Sequence, residues 1–119
     1  MHERIGVVDG NKEASQALCT ALEHYHYLAT PLSSLSNLEA GIRESGVQVV
    51  ILDLDSFPVN NRIIRDLRRQ NPDVHVIGLS SRTFHPELQE AMRTDISACL
   101  GKPIDVEELI YWLKSICER

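Results

Sequence analysis

The chain has 119 residues, enough for one domain with a full hydrophobic core and too few for two ordinary ones. With 43% hydrophobic and 24% charged residues it has the composition of a folded globule, not of a disordered or low-complexity segment. Twelve Lys plus Arg against seventeen Asp plus Glu leave a net charge of −5, which argues against nucleic acid or an anionic membrane surface as the main partner.

Arg4 to Asp9 reads as a short buried strand stopped by Gly10-Asn11, and Asn11 suits the N-cap of the helix that follows. Ala14, Ala17, Leu18, Ala21, Leu22 and Tyr25 recur at three- and four-residue steps, predicting one apolar stripe on a helix of roughly four turns. Tyr27 to Thr30 forms a weak second strand ended by Pro31. Ser36 with Glu39 makes a capping box before a short helix through Ile42. Val47 to Asp53 is β-branched and nearly continuously apolar, as a central parallel strand buried on both faces should be.

After Pro58 a third helix runs through Ile63, Ile64 and Leu67 and ends near Asn71-Pro72, because proline disfavours helical geometry in its predecessor. Arg62, Arg65, Arg68 and Arg69 are read as its solvated face, with Asp66 available as a partner. Val74 to Ser80 is the fourth strand, Pro86 opens a fourth helix to about Thr94, and Ile96 to Leu100 is the fifth strand, closed by Lys102-Pro103. Asp105 and Glu108 repeat the capping pattern before an amphipathic helix through Leu109, Ile110, Leu113 and Ile116.

Strand and helix alternate five times without a repeat or linker, which predicts a single α/β domain over 1–119, a parallel sheet with helices on both faces. No apolar run approaches bilayer-spanning length, and the opening residues lead straight into a strand, so neither a membrane span nor a secretion signal is expected. Cys19, Cys99 and Cys117 are widely spaced with no CxxC pair, which points away from disulfides or a zinc site and toward a reducing, cytoplasmic setting. The scattered histidines, His2, His24, His26, His75 and His85, read as surface residues.

Ligands of such sheets bind beyond the carboxyl ends of the strands. Asp9, Asp53, Ser80 and Lys102 end the first, third, fourth and fifth strands on that edge. A carboxylate pair there suits a hard divalent cation such as Mg²⁺, and a hydroxyl facing an ammonium suits phosphoryl oxygens.

Val7-Val8-Asp9, Val50-Ile51-Leu52-Asp53-Leu54, Leu79-Ser80-Ser81 and Gly101-Lys102-Pro103, in that order, resemble the receiver domain of bacterial two-component response regulators over about residues 4–116. The resemblance implies a flavodoxin-like doubly wound five-stranded sheet of order 2-1-3-4-5, and signalling rather than enzymatic turnover. It implies phosphoryl transfer from a sensor histidine kinase to Asp53 with Mg²⁺. Lys102 would contact the phosphoryl group, Ser80 would report it, and Asp9 with Asp53 would be metal-site acids. It further implies a homodimer or an effector docked through the fourth and fifth strand and helix face, where Ile110, Tyr111 and Trp112 exceed what one helix face can bury. Trp112 is the candidate interface residue, with a core position as its alternative.

Three positions depart from the family pattern. Gly10 stands where a second acid follows the first, which weakens or removes Mg²⁺ binding. The loop from Asp53 to Pro58 is one residue longer than usual, leaving Asp55 as a competing acid. Cys99 replaces the switch aromatic and is expected to pack as a small buried hydrophobe, like Cys19. The competing reading is a pseudo-receiver that binds neither metal nor phosphoryl and acts as a constitutive interaction or dimerisation module. A small enzyme or flavin binder on the same fold is disfavoured by the lack of a glycine-rich phosphate loop after the first strand.

Overall fold

The computed structural model describes residues 4–32, 34 and 38–117. In chain order the elements are β1 (Arg4–Val8), α1 (Lys12–His24), β2 (Leu28–Leu32), α2 (Leu38–Ser45), β3 (Val49–Asp53) and α3 (Asn61–Gln70). Then come β4 (His75–Ser80), a 3₁₀ turn (Pro86–Leu88) leading into α4 (Gln89–Thr94), β5 (Ile96–Gly101) and α5 (Val106–Cys117). The five strands form one sheet in the order β2-β1-β3-β4-β5, every neighbouring pair parallel. The alternation of elements predicts the parallel sheet, and the strand order is the flavodoxin-like one that the resemblance implies.

Alternate residues of a strand point to opposite faces, so the run in β3 feeds two cores at once. Val50 and Leu52 pack with Val8, Ile64, Leu67 and Leu88 beneath α2, α3 and α4. Val49 and Ile51 pack with Ile5, Leu22, Ile77, Leu109 and Leu113 beneath α1 and α5. All five β3 residues are buried, as a central parallel strand requires. Asn11 and Asn60 cap α1 and α3, their side chains accepting from the N–H groups of Ala14 and Ile63. Gly46, at φ 66°, ends α2 in the left-handed conformation that glycine adopts without strain, its N–H returning to the carbonyl of Ile42.

Several local expectations change. Pro31 lies inside β2, opposite Val7, and does not end the strand: β2 is an edge strand, where proline is tolerated. In α1 the buried residues are Ser15, Leu18, Cys19 and Leu22, while Ala14, Ala17 and Tyr25 are exposed. Alanine favours helix wherever it sits and so reports the helix but not its inner face. Arg68 is half-buried, its guanidinium donating to the carbonyls of Pro72 and Val74, and so leaves the solvated face where Arg62 and Arg69 remain. His2 and the Ser36 half of the capping box lie outside the described residues.

The strand order reverses between β1 and β3, the place where doubly wound sheets open a crevice. Register then sets the heights of the edge residues. Val8 is opposite Leu52, so Asp9 and Asp53 follow side by side. Asp53 is opposite Leu79 and Ser80 opposite Gly101, which brings Ser80 and Lys102 up to the same rim.

Candidate functional site

At this rim the Lys102 ammonium lies 2.6 Å from Asp53 Oδ1 and 3.3 Å from Asp55 Oδ2, bridging two carboxylates. The Asp53 side chain is 5% exposed, that of Asp55 24% and that of Lys102 29%, so the pair is open to solvent on the Asp55 side. Asp53 Oδ1 also accepts from the Asp55 N–H at 3.1 Å, and Asp53 Oδ2 accepts from the Ser56 hydroxyl at 2.5 Å. Asp9 accepts from the Asn11 N–H at 2.8 Å and faces the same Ser56 hydroxyl at 3.5 Å.

Ser80 takes a different partner from the one the strand ends suggest. Its hydroxyl donates to Asp55 Oδ1 at 2.7 Å, while Asp55 Oδ2 accepts from the N–H and the hydroxyl of Ser81. Ser80 Oγ also receives the Arg82 N–H at 3.0 Å and lies 2.8 Å from His85 Nε2. A serine hydroxyl has one proton, and Asp55 takes it, so His85 Nε2 carries the hydrogen in the remaining contact. Ser80 is thus held from three sides.

Electrostatics follow from these contacts. Burial pushes the Asp53 carboxyl up, but hydrogen bonds from Lys102, Ser56 and the Asp55 N–H, with the Lys102 charge, outweigh it and hold the group below its ordinary value. Asp55 is held far lower, first by the Ser81 N–H, then, against desolvation, by the Ser80 and Ser81 hydroxyls and Lys102. Desolvation lowers Lys102, yet its two carboxylate neighbours more than reverse this and raise it. At neutral pH the cluster is therefore a lysine cation between two ionised acids.

The structure brings Asp53, Lys102 and Asp9 to one rim, with Ser80 beside them on Asp55. Three residues gain weight that sequence reasoning denied them. Asp55, weighed as a competing acceptor and as a stand-in for the acid missing at position 10, is the partner of both Ser80 and Lys102. Ser56 lies between Asp9 and Asp53. His85, expected on the surface, is 6% exposed against Ser80, and no periodic signal marks a residue in a loop.

Contrary to the expected buried packing, Cys99 is exposed: β5 is an edge strand that buries Ile96 in the core beneath α2, α3 and α4 and Leu100 in the core beneath α1 and α5, and leaves Cys99 open to solvent. It borders a groove of about 700 Å³ with Phe84, His85, Met92 and Leu100. On α5, Trp112 is half-buried against the core and Tyr111, at 65% exposure, is the aromatic ring left to solvent. The helical step that turns Leu109 and Leu113 inward carries Tyr111 out.

Asp9 and Asp53 offer hard oxygen donors of the kind Mg²⁺ takes, and Mg²⁺ is commonly held by one or two carboxylates together with water and phosphate oxygens. The residues present fit a two-carboxylate site. Among the described residues no group of three or more His, Cys, Asp or Glu side chains could hold a metal ion. At position 10, where a further carboxylate would stand, an added Cβ would lie 3.1 Å from Ser56 Cβ.

A family profile for the response regulator receiver domain matches residues 5–114. The heme response regulator HssR of Staphylococcus saprophyticus is 21% identical over 113 residues, covering 95% of this chain and 50% of the relative, so the chain spans about half that protein's length. Among solved structures, a two-component response regulator from Clostridium difficile superposes with a TM-score of 0.86 at 17% identity, covering 99% of this chain and 98% of the other. A CheY-like receiver domain protein from Methanospirillum hungatei gives 0.85 at 15%, covering 99% and 96%. The BeF3-activated DrrB receiver domain gives 0.80 at 21%, with full coverage of both chains. Among the described residues no helix is long and apolar enough to cross a membrane.

Proposed function

The chain belongs to the response regulator receiver domain family, and from that premise we propose that residues 1–119 act as one receiver unit whose Asp53 accepts a phosphoryl group from a histidine kinase. Receiver domains are regulatory parts of two-component signalling and not classical enzymes. The reading rests on one observation above all: the Lys102 ammonium, from the end of β5, lies 2.6 Å from the carboxylate at the end of β3. In the transfer a carboxylate oxygen of Asp53 forms a bond to phosphorus as the bond from phosphorus to the kinase histidine nitrogen breaks, and the imidazole departs with that electron pair. Lys102 neutralises the phosphoryl oxygens, and catalysis is otherwise positioning. Asp9 and Asp53 would hold Mg²⁺, which when bound supplies further charge neutralisation.

Phosphorylation gives Ser80 a second acceptor. Its hydroxyl exchanges the Asp55 carboxylate for a phosphoryl oxygen, and that motion passes to the loop carrying Phe84 and His85 and to the rim of β5. Phe84 and Tyr111 are exposed aromatics, and the fourth and fifth elements are the proposed face for a second copy or an effector domain. Three cysteines without a disulfide fit a cytoplasmic setting. A second reading, a constitutive interaction module, draws support from Gly10 and from the clamp of Asp55 and His85 on Ser80. The two part on one experiment: incubation with acetyl phosphate and Mg²⁺, followed by intact-mass measurement. The receiver reading expects one hydroxylamine-labile phosphoryl that is retained in Asp55→Asn and lost in Asp53→Asn. No phosphoryl on the native chain supports the module.

A further inference from the structure

Position 10 lacks the acid that would complete a three-carboxylate cation site, and the space is not left open. The Ser56 hydroxyl donates to Asp53 Oδ2 at 2.5 Å, faces Asp9 Oδ1 at 3.5 Å and accepts the Gly10 N–H at 3.1 Å. It therefore links the β1–α1 turn to the candidate acceptor, with the first acid alongside. A Cβ on Gly10 would meet Ser56 Cβ at 3.1 Å and Oγ at 3.2 Å, closer than ordinary contact. Both side chains cannot be accommodated without movement. The longer loop between Asp53 and Pro58 supplies the residue that fills the place.

We propose that Ser56 is an internal substitute for the missing acid: its hydroxyl donates to Asp53 beside Asp9 and competes with a divalent cation for the Asp53 carboxylate, and side chains at positions 10 and 56 crowd one another. The proposal rests on the reading of Asp9 and Asp53 as the cation's acids, but not on phosphoryl transfer. The chemistry is one of competition. A hydroxyl proton directed at Asp53 Oδ2 must turn away before a cation can take that oxygen, and one of the hydroxyl's two lone pairs is engaged by the Gly10 N–H.

The test is calorimetric titration of the full chain with Mg²⁺ and Mn²⁺, with circular dichroism to verify that each variant is folded. Ser56→Ala removes the competing proton donor and is expected to bind the cation about 10- to 100-fold more tightly, the size of one charge-assisted hydrogen bond. Gly10→Asp alone adds a carboxylate into occupied space and gains less affinity than Gly10→Asp/Ser56→Gly, in which both obstacles are removed. If Ser56→Ala titrates like the native chain, or if Gly10→Asp alone binds as tightly as the double variant, the proposal is overturned. No titration involves a phosphodonor, so failure here and failure of acetyl phosphate to modify Asp53 are separate results.

Discussion

Replacing Lys102 by Met keeps the side-chain stem and removes the charge that links the two acids. Asp53, 5% exposed, loses its cation, while Asp55 loses a contact at 3.3 Å. A charge-assisted hydrogen bond contributes about 1.5–3 kcal/mol net. Asp53 keeps the Ser56 hydroxyl and the Asp55 N–H, and Lys102 is partly solvated, which pulls the loss toward the lower end of that range. Two ionised carboxylates then remain without the charge between them, which pushes it back up. The balance is about 2 kcal/mol at neutral pH, a fall of roughly 8 °C in Tm for a domain of this size. Urea unfolding followed by Trp112, the one tryptophan in the sequence and half-buried against the core, reads it directly. Asp53→Asn in the Lys102→Met background should recover much of the loss, since the uncompensated buried charge is gone. A Lys102→Met chain within about 0.5 kcal/mol of native stability, the range of an ordinary surface substitution, would refute the reasoning. So would strict additivity of the two substitutions.

Other outcomes follow from the same contacts. Asp53 and Asp55 are held below the ordinary 3.8, so their stabilisation is present above that pH and is lost as pH falls through the lowered values. Urea midpoints should therefore decline below about pH 4, with a shallower decline in Asp53→Asn/Asp55→Asn. Lys102, raised above 10.5, contributes fully below that pH, and its share is lost only as pH rises past the raised value. His85→Ala removes a buried donor to Ser80 and should cost about 1–2 kcal/mol in urea unfolding, but less in a Ser80→Ala background; equal costs in both would deny the contact. Desolvation pushes up both the Cys19 and the Cys99 thiols, so exposure decides: Ellman's reagent should modify exposed Cys99 well before buried Cys19, which reacts only on unfolding. Equal rates would contradict the burial described here.

The parallel sheet was legible because β3 is apolar at every position before Asp53 and most of the other strands are bounded by Asn, Gly and Pro signals that act locally. Asp9, Asp53, Ser80 and Lys102 could be placed on one edge because strand ends in such a sheet share an edge by topology. What sequence could not show depends on the paths of loops. The turn from Asp53 to Pro58 brings Asp55 under Ser80 and Ser56 against Gly10, and no periodicity encodes a turn's course. His85 lies in another loop, and only the fold of that loop brings it onto Ser80. Cys99 illustrates a different limit: its residue type suggests burial, but it lies on the edge strand β5, where it stays exposed. Trp112 and Tyr111 are adjacent on α5, and a step of one residue decides which packs inward.

The identity of the phosphoryl acceptor is the central claim, and the site itself offers a rival in Asp55. Borohydride reduction of the acetyl phosphate-treated chain converts an aspartyl phosphate to homoserine, which peptide mass spectrometry can locate. Homoserine is expected at position 53 and not at 55; reduction at 55, or at neither, would rule out Asp53 as the acceptor.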